Sequence, residues 1–331
     1  MHEEQQPDPN TGTVRLLAVV VLYKQTPGDS VTLNSLRAAI SCLKPGQADI
    51  RIVLYDNTPG GQDTGVLPPD VHYKADIDNG GLAKAYNYAL AIAHENSYDW
   101  LLTLDQDTIL PIDFISTLCS TITFVTPLDV VAAIFPCITS DGRLISPSVP
   151  VFHWAFTKHF PDGFIGISTS TLTLAINSAP TLRVSALRAA GGYDPRFWLD
   201  CSDVVMYYRL QSNHLRIFVA GNIHVEHEAS VLDLMNRTTP HRYENGSLAL
   251  EAFFDEYLGR IEGIMRLVKL FYLLCKFWKD RITLPYIKVV FRFLCRRLFY
   301  SRKHRMESWK HSVEIRSNAQ RLPAQEGSLN G

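Results

Sequence analysis

The sequence has no cysteine pair at metal-binding spacing. Its six cysteines, Cys42, Cys119, Cys137, Cys201, Cys275 and Cys295, form no CxxC and no Cys/His cluster. A chain of 331 residues can build its core without disulfide staples, so the six read as reduced thiols in a cytosolic setting. No uncharged apolar run approaches the ~20 residues of a spanning helix. The run Leu270 to Cys275 is cut off by Lys269 and Lys276. Glu3, Glu4 and Asp8 precede the first apolar run, where a secretory leader would have a basic start and a cleavage signal, so no targeting segment is expected. Internal repeats are also missing. Lys24-Gln25-Thr26-Pro27, after the first apolar run, lacks the glycines and basic charge that a nucleotidyltransferase would want there. With 46% hydrophobic and 20% charged residues, collagen-like, low-complexity and wholly disordered chains are excluded. The length predicts one main domain with an appendage.

Charge is unevenly distributed. Arg260 to Lys310 holds 14 Lys/Arg against Glu262, Asp280 and Glu307, a surplus of eleven; since the whole chain stands at -1, the remainder stands at -12. An acidic body joined to a basic, aromatic-rich tail points to a polyanionic partner for the tail. Leu16 to Tyr23, Ile50 to Tyr55 and Trp100 to Leu104 are continuous apolar runs ending in polar residues, as buried parallel strands do. Helix-length segments, about Thr32 to Cys42 and Leu82 to Glu95, lie between them. The pattern predicts an α/β fold with a mostly parallel sheet flanked by helices. Further on, the sequence predicts a Thr-rich strand over Thr171 to Asn177, a helix from Ser202 to His214 capped by Ser202, and a strand from Leu215 to Val219. Residues 312–331 are polar and lack periodicity, and disorder is expected there.

In such a sheet the chemistry belongs at the carboxyl ends of the strands. Asp105-Gln106-Asp107 puts two carboxylates there, suited to a hard divalent cation, Mg2+ or Mn2+, that also takes phosphate oxygens. Taken alone, the triplet fits a helix cap or a solvated turn equally well. Asp56-Asn57 ends the second strand and can be a simple turn. With a nucleotide at this edge, Asp56 can accept from the N3-H of a uracil or thymine ring while Tyr23 stacks on its face. Asn79-Gly80-Gly81 opens a helix and can leave backbone N-H groups free for a diphosphate, although glycines at helix starts also serve conformation alone.

The order of these pieces resembles glycosyltransferase family 2, the inverting nucleotide-sugar transferases of the A-type fold, and within it the bacterial rhamnosyltransferase branch. The resemblance runs from Leu16 to Ser230. It is carried by the DQD triplet, the Asn79-Gly80-Gly81-Leu82-Ala83-Lys84 helix start and the block Phe197-Trp198-Leu199-Asp200, Asp203, Arg209. It implies a catalytic domain over residues 14–259, with a nucleotide-binding half to residue 136 and an acceptor-binding half from 137. A flexible start (1–13), a basic amphipathic region (260–311) and the disordered tail complete the chain. The resemblance further implies that Asp56 reads the pyrimidine and that Asp107 is the principal metal ligand. Asp105 contacts the ribose or metal shell, His227 completes the metal and diphosphate site, and Asn79, Gly80, Gly81 and Lys84 hold the nucleotide sugar. Asp203 is the general base, with Asp200 and Arg209 at the acceptor pocket; an Asp that only stabilises the helix dipole is the competing reading for Asp203.

The implied reaction moves L-rhamnose from dTDP-L-rhamnose to a glycan acceptor, lipid-linked, in cell-surface polysaccharide synthesis (O-antigen, lipopolysaccharide or exopolysaccharide). A UDP-sugar donor and a non-catalytic nucleotide-sugar-binding member are the alternatives. Two departures from the family pattern support the non-catalytic one: Val205 replaces an acidic residue two positions after the base, and Glu228-Ala229-Ser230 follows His227 without the usual glycine. In the tail, Glu262, Arg266, Lys269, Lys276 and Lys279 fall on one helical face and leave a wide apolar face. That pattern fits a helix in an anionic membrane interface, at the cytoplasmic side, and also fits helices packed on the catalytic domain. A nucleic-acid partner is not expected, because no binding motif is present and the acidic body repels phosphate backbones.

Overall fold

The computed structural model describes residues 13–227 and 238–321. Along the chain run β1 (Val14–Leu22), α1 (Val31–Ser41), β2 (Ala48–Asp56), β3 (Val71–Ala75), α2 (Gly81–Glu95), β4 (Trp100–Asp105), β5 (Thr108–Ile109), α3 (Phe114–Val125) and β6 (Val131–Ser140). These are followed by β7 (Arg143–Ser146), β8 (Ser148–Val151), β9 (Phe156–His159), β10 (Ile165–Ile167), β11 (Thr181–Arg183), α4 (Val184–Ala189), α5 (Ser202–Ser212) and β12 (Arg216–His227). Four helices complete the chain: α6 (Pro240–Tyr257), α7 (Arg260–Lys279), α8 (Leu284–Phe299) and α9 (Arg302–Arg321).

The central sheet has the order β10-β12-β6-β11-β4-β1-β2-β3, with β5 on β12 and β7 on β6. Strands β4, β1, β2 and β3 are parallel to one another, and β12 is parallel to β6. Short β11 is antiparallel between these two blocks. Strand alternation explains the continuous apolar run of β1. Leu16, Ala18, Val20 and Leu22 pack toward α1 and α3, while Leu17, Val19 and Val21 pack toward α2, α4 and α5.

The second half departs from expectation in three places. No strand forms over residues 171–177, where Leu174 makes a single bridge to Ser148. Side chains replace the ladder there: Thr173 N donates to Gln211 Oε1 (2.7 Å), and Gln211 Nε2 donates back to Thr173 O (2.8 Å). Ser202 is the first helical residue of α5 and not its cap; Cys201 precedes it at φ 59°, and the Ser202 hydroxyl takes a hydrogen bond from Asn177 Nδ2 (3.2 Å). The late strand runs from Arg216 to His227, because Ile223 and Val225 continue the buried alternation beyond Val219.

Helix α6 is the dock for the tail. Its Ala252 and Phe253 pack with Phe197, Val205 and Trp309, and its Glu251 and Asp255 are buried. Arg266 of α7 donates to Glu251 (2.6 Å), Arg297 of α8 contacts both carboxylates, and Arg305 of α9 donates to Asp255 (2.7 Å). The expected solvent-facing charge stripe is therefore broken at Arg266, which is internal, and Glu262 pairs with His153 (2.9 Å). The expected disorder over residues 312–331 is corrected as far as Arg321, where α9 ends; residues 322–331 lie outside the described residues. Trp309 and Val313 anchor the inner side of α9, and Arg316 lies over the Trp198 ring (5.2 Å to the centroid).

Candidate active site

The carboxyl edge of the sheet gathers the acidic residues. Val21 of β1 pairs with Asp105 of β4, and Leu22 pairs with Asp56 of β2, so both aspartates end parallel strands at one level. The loop after Asp105 is pinned from three sides. Gln106 Oε1 accepts from Tyr23 N (2.7 Å), Ser30 Oγ donates to Gln106 O (3.3 Å), and Thr108 N donates to Thr32 Oγ1 (2.7 Å). From the other side, β5 pairs with the end of β12, setting Thr108 opposite His227.

These pairings bring Asp105, Asp107 and His227 together, with one ligand atom from each within 4.8 Å of the others. His227 Nδ1 is 3.3 Å from Asp107 Oδ1 and 3.2 Å from Thr108 Oγ1. Ser178 Oγ donates to Asp105 Oδ2 (2.7 Å) and lies 3.3 Å from His227 Nε2, while Tyr86 OH donates to Asp105 Oδ1 (3.3 Å). Two carboxylates and one imidazole, with Asp105 and His227 oriented by hydroxyls and Asp107 set against His227, fit a hard divalent cation such as Mg2+ or Mn2+ that also takes phosphate oxygens. Among the described residues this is the one group of three or more His, Cys, Asp or Glu that can hold an ion.

Asp203 sits at the start of α5, half-buried. Desolvation pushes its carboxyl up to about 7, against the hydrogen bond from Val204 N (2.7 Å), and repulsion from Asp105 and Asp200 adds to the rise. Beneath it, Tyr86, Tyr193 and Tyr207 form a buried aromatic floor. Tyr207 OH donates to Asn177 Oδ1 (3.3 Å), so the Asn177-Ser178 turn ties α5, which carries Asp203, to Asp105. A carboxylate beside the acidic group whose pKa is raised to about 7 is placed to exchange a proton with a hydroxyl near neutral pH.

The other expected residues divide. Asp56 is fully buried, accepting from Tyr73 OH (2.7 Å) at Oδ2 and from Thr58 N (2.9 Å) at Oδ1. Tyr23 is 42% exposed at the same edge, with Lys24 over its ring. The backbone amides of the glycine segment are not free as expected. Asn79 N donates to Asp76 O (3.0 Å), Gly80 N to Asp76 Oδ2 (3.1 Å) and Gly81 N to Asn57 Oδ1 (3.3 Å). Lys84 Nζ binds Asp76 Oδ1 (2.9 Å) and remains half-exposed. Tyr55 OH also donates to Asp76, whose carboxyl is held below its usual value by Tyr55 and Lys84 despite burial. Gly81 is required where it stands: at φ +82°, an added Cβ would lie 2.4 Å from Trp198 O.

Asp200 pairs with Arg242 of α6. A cavity of about 240 Å³ beside this pair is lined by Trp198, His241, Asn245 and Trp309. Arg209 does not reach it. Its guanidinium binds Asp194 (3.1 Å) in a cluster with Arg196 and Glu256, which braces α5. Val205 is fully buried against Phe197 and Phe253, so an acidic residue there would be internal. Glu228-Ala229-Ser230 lies outside the described residues. Ser178 and Tyr86 reach Asp105 from a loop and a helix distant in the chain, and no local pattern marks either of them.

The fold is thus of the A-type glycosyltransferase class. Among solved structures, the chain is similar to the crystal structure of GalNAc-T7 with UDP, GalNAc and Mn2+, at a TM-score of 0.50 and 15% identity, over 93% of this chain and 58% of that one. It is also similar to S. aureus TarS (TM-score 0.47, 13% identity, 91% of this chain and 55% of that one) and to TarS 1-349 (0.46, 12%, 92% and 91%). The chain therefore spans just over half the length of GalNAc-T7 and of the longer TarS structure. No family model and no curated protein sequence matches it.

Proposed function

We propose that this protein is a metal-dependent inverting glycosyltransferase. One observation carries the proposal: at one sheet edge, the Asp105-Asp107-His227 group lies beside Asp203, a carboxylate with its pKa raised to about 7. Asp105, Asp107 and His227 would hold the ion. Bound there, Mg2+ or Mn2+ supplies positive charge for the departing diphosphate. Asp203 takes the proton of the acceptor hydroxyl as its oxygen bonds to the anomeric carbon; the bond from that carbon to the diphosphate breaks on the opposite face, so the anomeric configuration inverts. Tyr23 offers an exposed ring to the nucleobase, while Asp56, buried with its oxygens on Thr58 N and Tyr73 OH, would meet a pyrimidine N3-H only if the ligand displaces one of these partners. The Asp200–Arg242 pair and the cavity beside it form the acceptor side.

The donor we assign is dTDP-L-rhamnose and the acceptor a lipid-linked glycan of a cell-surface polysaccharide. This finer assignment is supported by the resemblance of the sequence blocks to the rhamnosyl branch of family 2. The test is release of nucleoside diphosphate from dTDP-rhamnose and from UDP-sugars, with and without Mn2+ or Mg2+, by the wild type and by Asp203→Asn. Metal-dependent dTDP release that Asp203→Asn abolishes is the expected result. Preference for a UDP-sugar discards rhamnose but keeps the class, and binding without release makes the chain a nucleotide-sugar-binding protein.

A further inference from the structure

Helices α7 and α8 each carry two apolar faces. The inner one is accounted for: Leu270 and Phe277 of α7 pack against Val290 and Phe293 of α8. The outer one is bare. On α7, Ile261, Ile264, Val268, Phe271 and Trp278 recur at helical spacing and are between 52% and 77% exposed. They form a stripe about 25 Å long, on the side opposite Arg266, Leu270 and Phe277. Leu284, Phe291 and Leu298 continue the character on α8, at 55% to 58% exposure. Isolated apolar residues at a surface need no explanation, but an ordered stripe does.

Charge selects the occupant. Lys279 and Arg281 stand exposed at the turn between the helices, around Trp278, and Lys288 stands exposed on the outer face of α8. Two copies of this face would set the same cations against each other, and a neutral apolar partner would leave them unmatched. A surface with an apolar interior and an anionic skin satisfies both features. We infer that the outer face of the α7–α8 hairpin is a docking surface for an anionic lipid bilayer, with Trp278 at its leading turn. No helix among the described residues is long and apolar enough to cross a membrane, so the binding is peripheral. The inference rests on the exposure of this face and stands apart from the transferase reading.

The test is co-sedimentation of the full chain with vesicles of phosphatidylcholine alone, or with equal parts of phosphatidylglycerol. Partition onto the anionic vesicles should exceed that onto neutral ones by about tenfold or more, and it should fall as salt is added. The double variant Ile264→Glu/Phe271→Glu should drop to the neutral level with an unchanged thermal midpoint, because both side chains are solvent-facing. Lys279→Glu and Arg281→Glu, which leave the apolar stripe intact, should each lose about fivefold or more. Equal partition onto both vesicle types, or none onto either, overturns the inference. So does a concentration-dependent dimer in sedimentation equilibrium that Ile264→Glu dissociates, which would make the face an interface between copies.

Discussion

Asp203 is both a cost to the fold and the centre of the proposed chemistry. Its carboxyl titrates near 7 in the folded chain and near the ordinary 3.8 when unfolded. Below the lower value the proton is bound in both states and the burial costs nothing. As the pH rises from there to about 7 the unfolded chain ionises first, so stability falls through that window and levels off above it. Asp203→Asn should therefore match the wild type in urea unfolding near pH 4 and exceed it by about 1–2 kcal/mol at pH 8. The same variant should lose ~10²–10⁴-fold in turnover, and the wild-type rate should show an acidic limb with an apparent pKa near 7. Ser178→Ala removes the hydroxyl shared by Asp105 and His227; a ~10–100-fold loss of Mn2+ affinity by calorimetry, with little change in stability, is expected. The aspartates were legible in the sequence through the order of the motifs, since each alone reads equally as a turn or a cap. Ser178, Thr108 and Tyr86 were not, since each acts through a contact with a residue distant in the chain.

The start of α2 shows how tightly one turn is built. Gly81 brings backbone against Trp198 of the Phe197-Trp198-Leu199-Asp200 segment, and Asp76 gathers Tyr55, Gly80 and Lys84 behind it. Gly81→Ala meets both the positive φ and the carbonyl of Trp198, so a loss of about 2 kcal/mol or more in thermal or urea unfolding is expected. Strands β1, β2 and β4 were legible as apolar runs because they are covered on both faces. The 171–177 segment misled because Thr-rich composition mimics a strand while Gln211 supplies the hydrogen bonds that a neighbouring strand would. The second half of helix α9, residues 312–321, was missed for the reverse reason. It is highly polar, and Val313, its single residue in the apolar cluster, is too little to show as periodicity.

Across the chain, the acidic body and the basic tail are joined through Glu251 and Asp255. Part of the tail's charge surplus is thus spent inside the protein, on Arg266, Arg297 and Arg305, and the rest faces outward. Arg297→Met leaves both carboxylates short of a partner in a buried setting; a loss of about 3 kcal/mol, read from urea unfolding, is expected. Charge counting revealed the asymmetry, but the division between internal pairs and exposed cations depends on which helix faces meet. In the proposed transferase the metal group and the nucleotide edge form one site. Thermal stabilisation by nucleotide sugars, with and without Mn2+ or Mg2+, tests it most directly. A donor at 100 times its dissociation constant should add about 2.7 kcal/mol in the presence of the ion, and far less without it or in Asp107→Asn. Stabilisation by no donor with either ion, or stabilisation indifferent to the ion and to Asp107, would contradict the account.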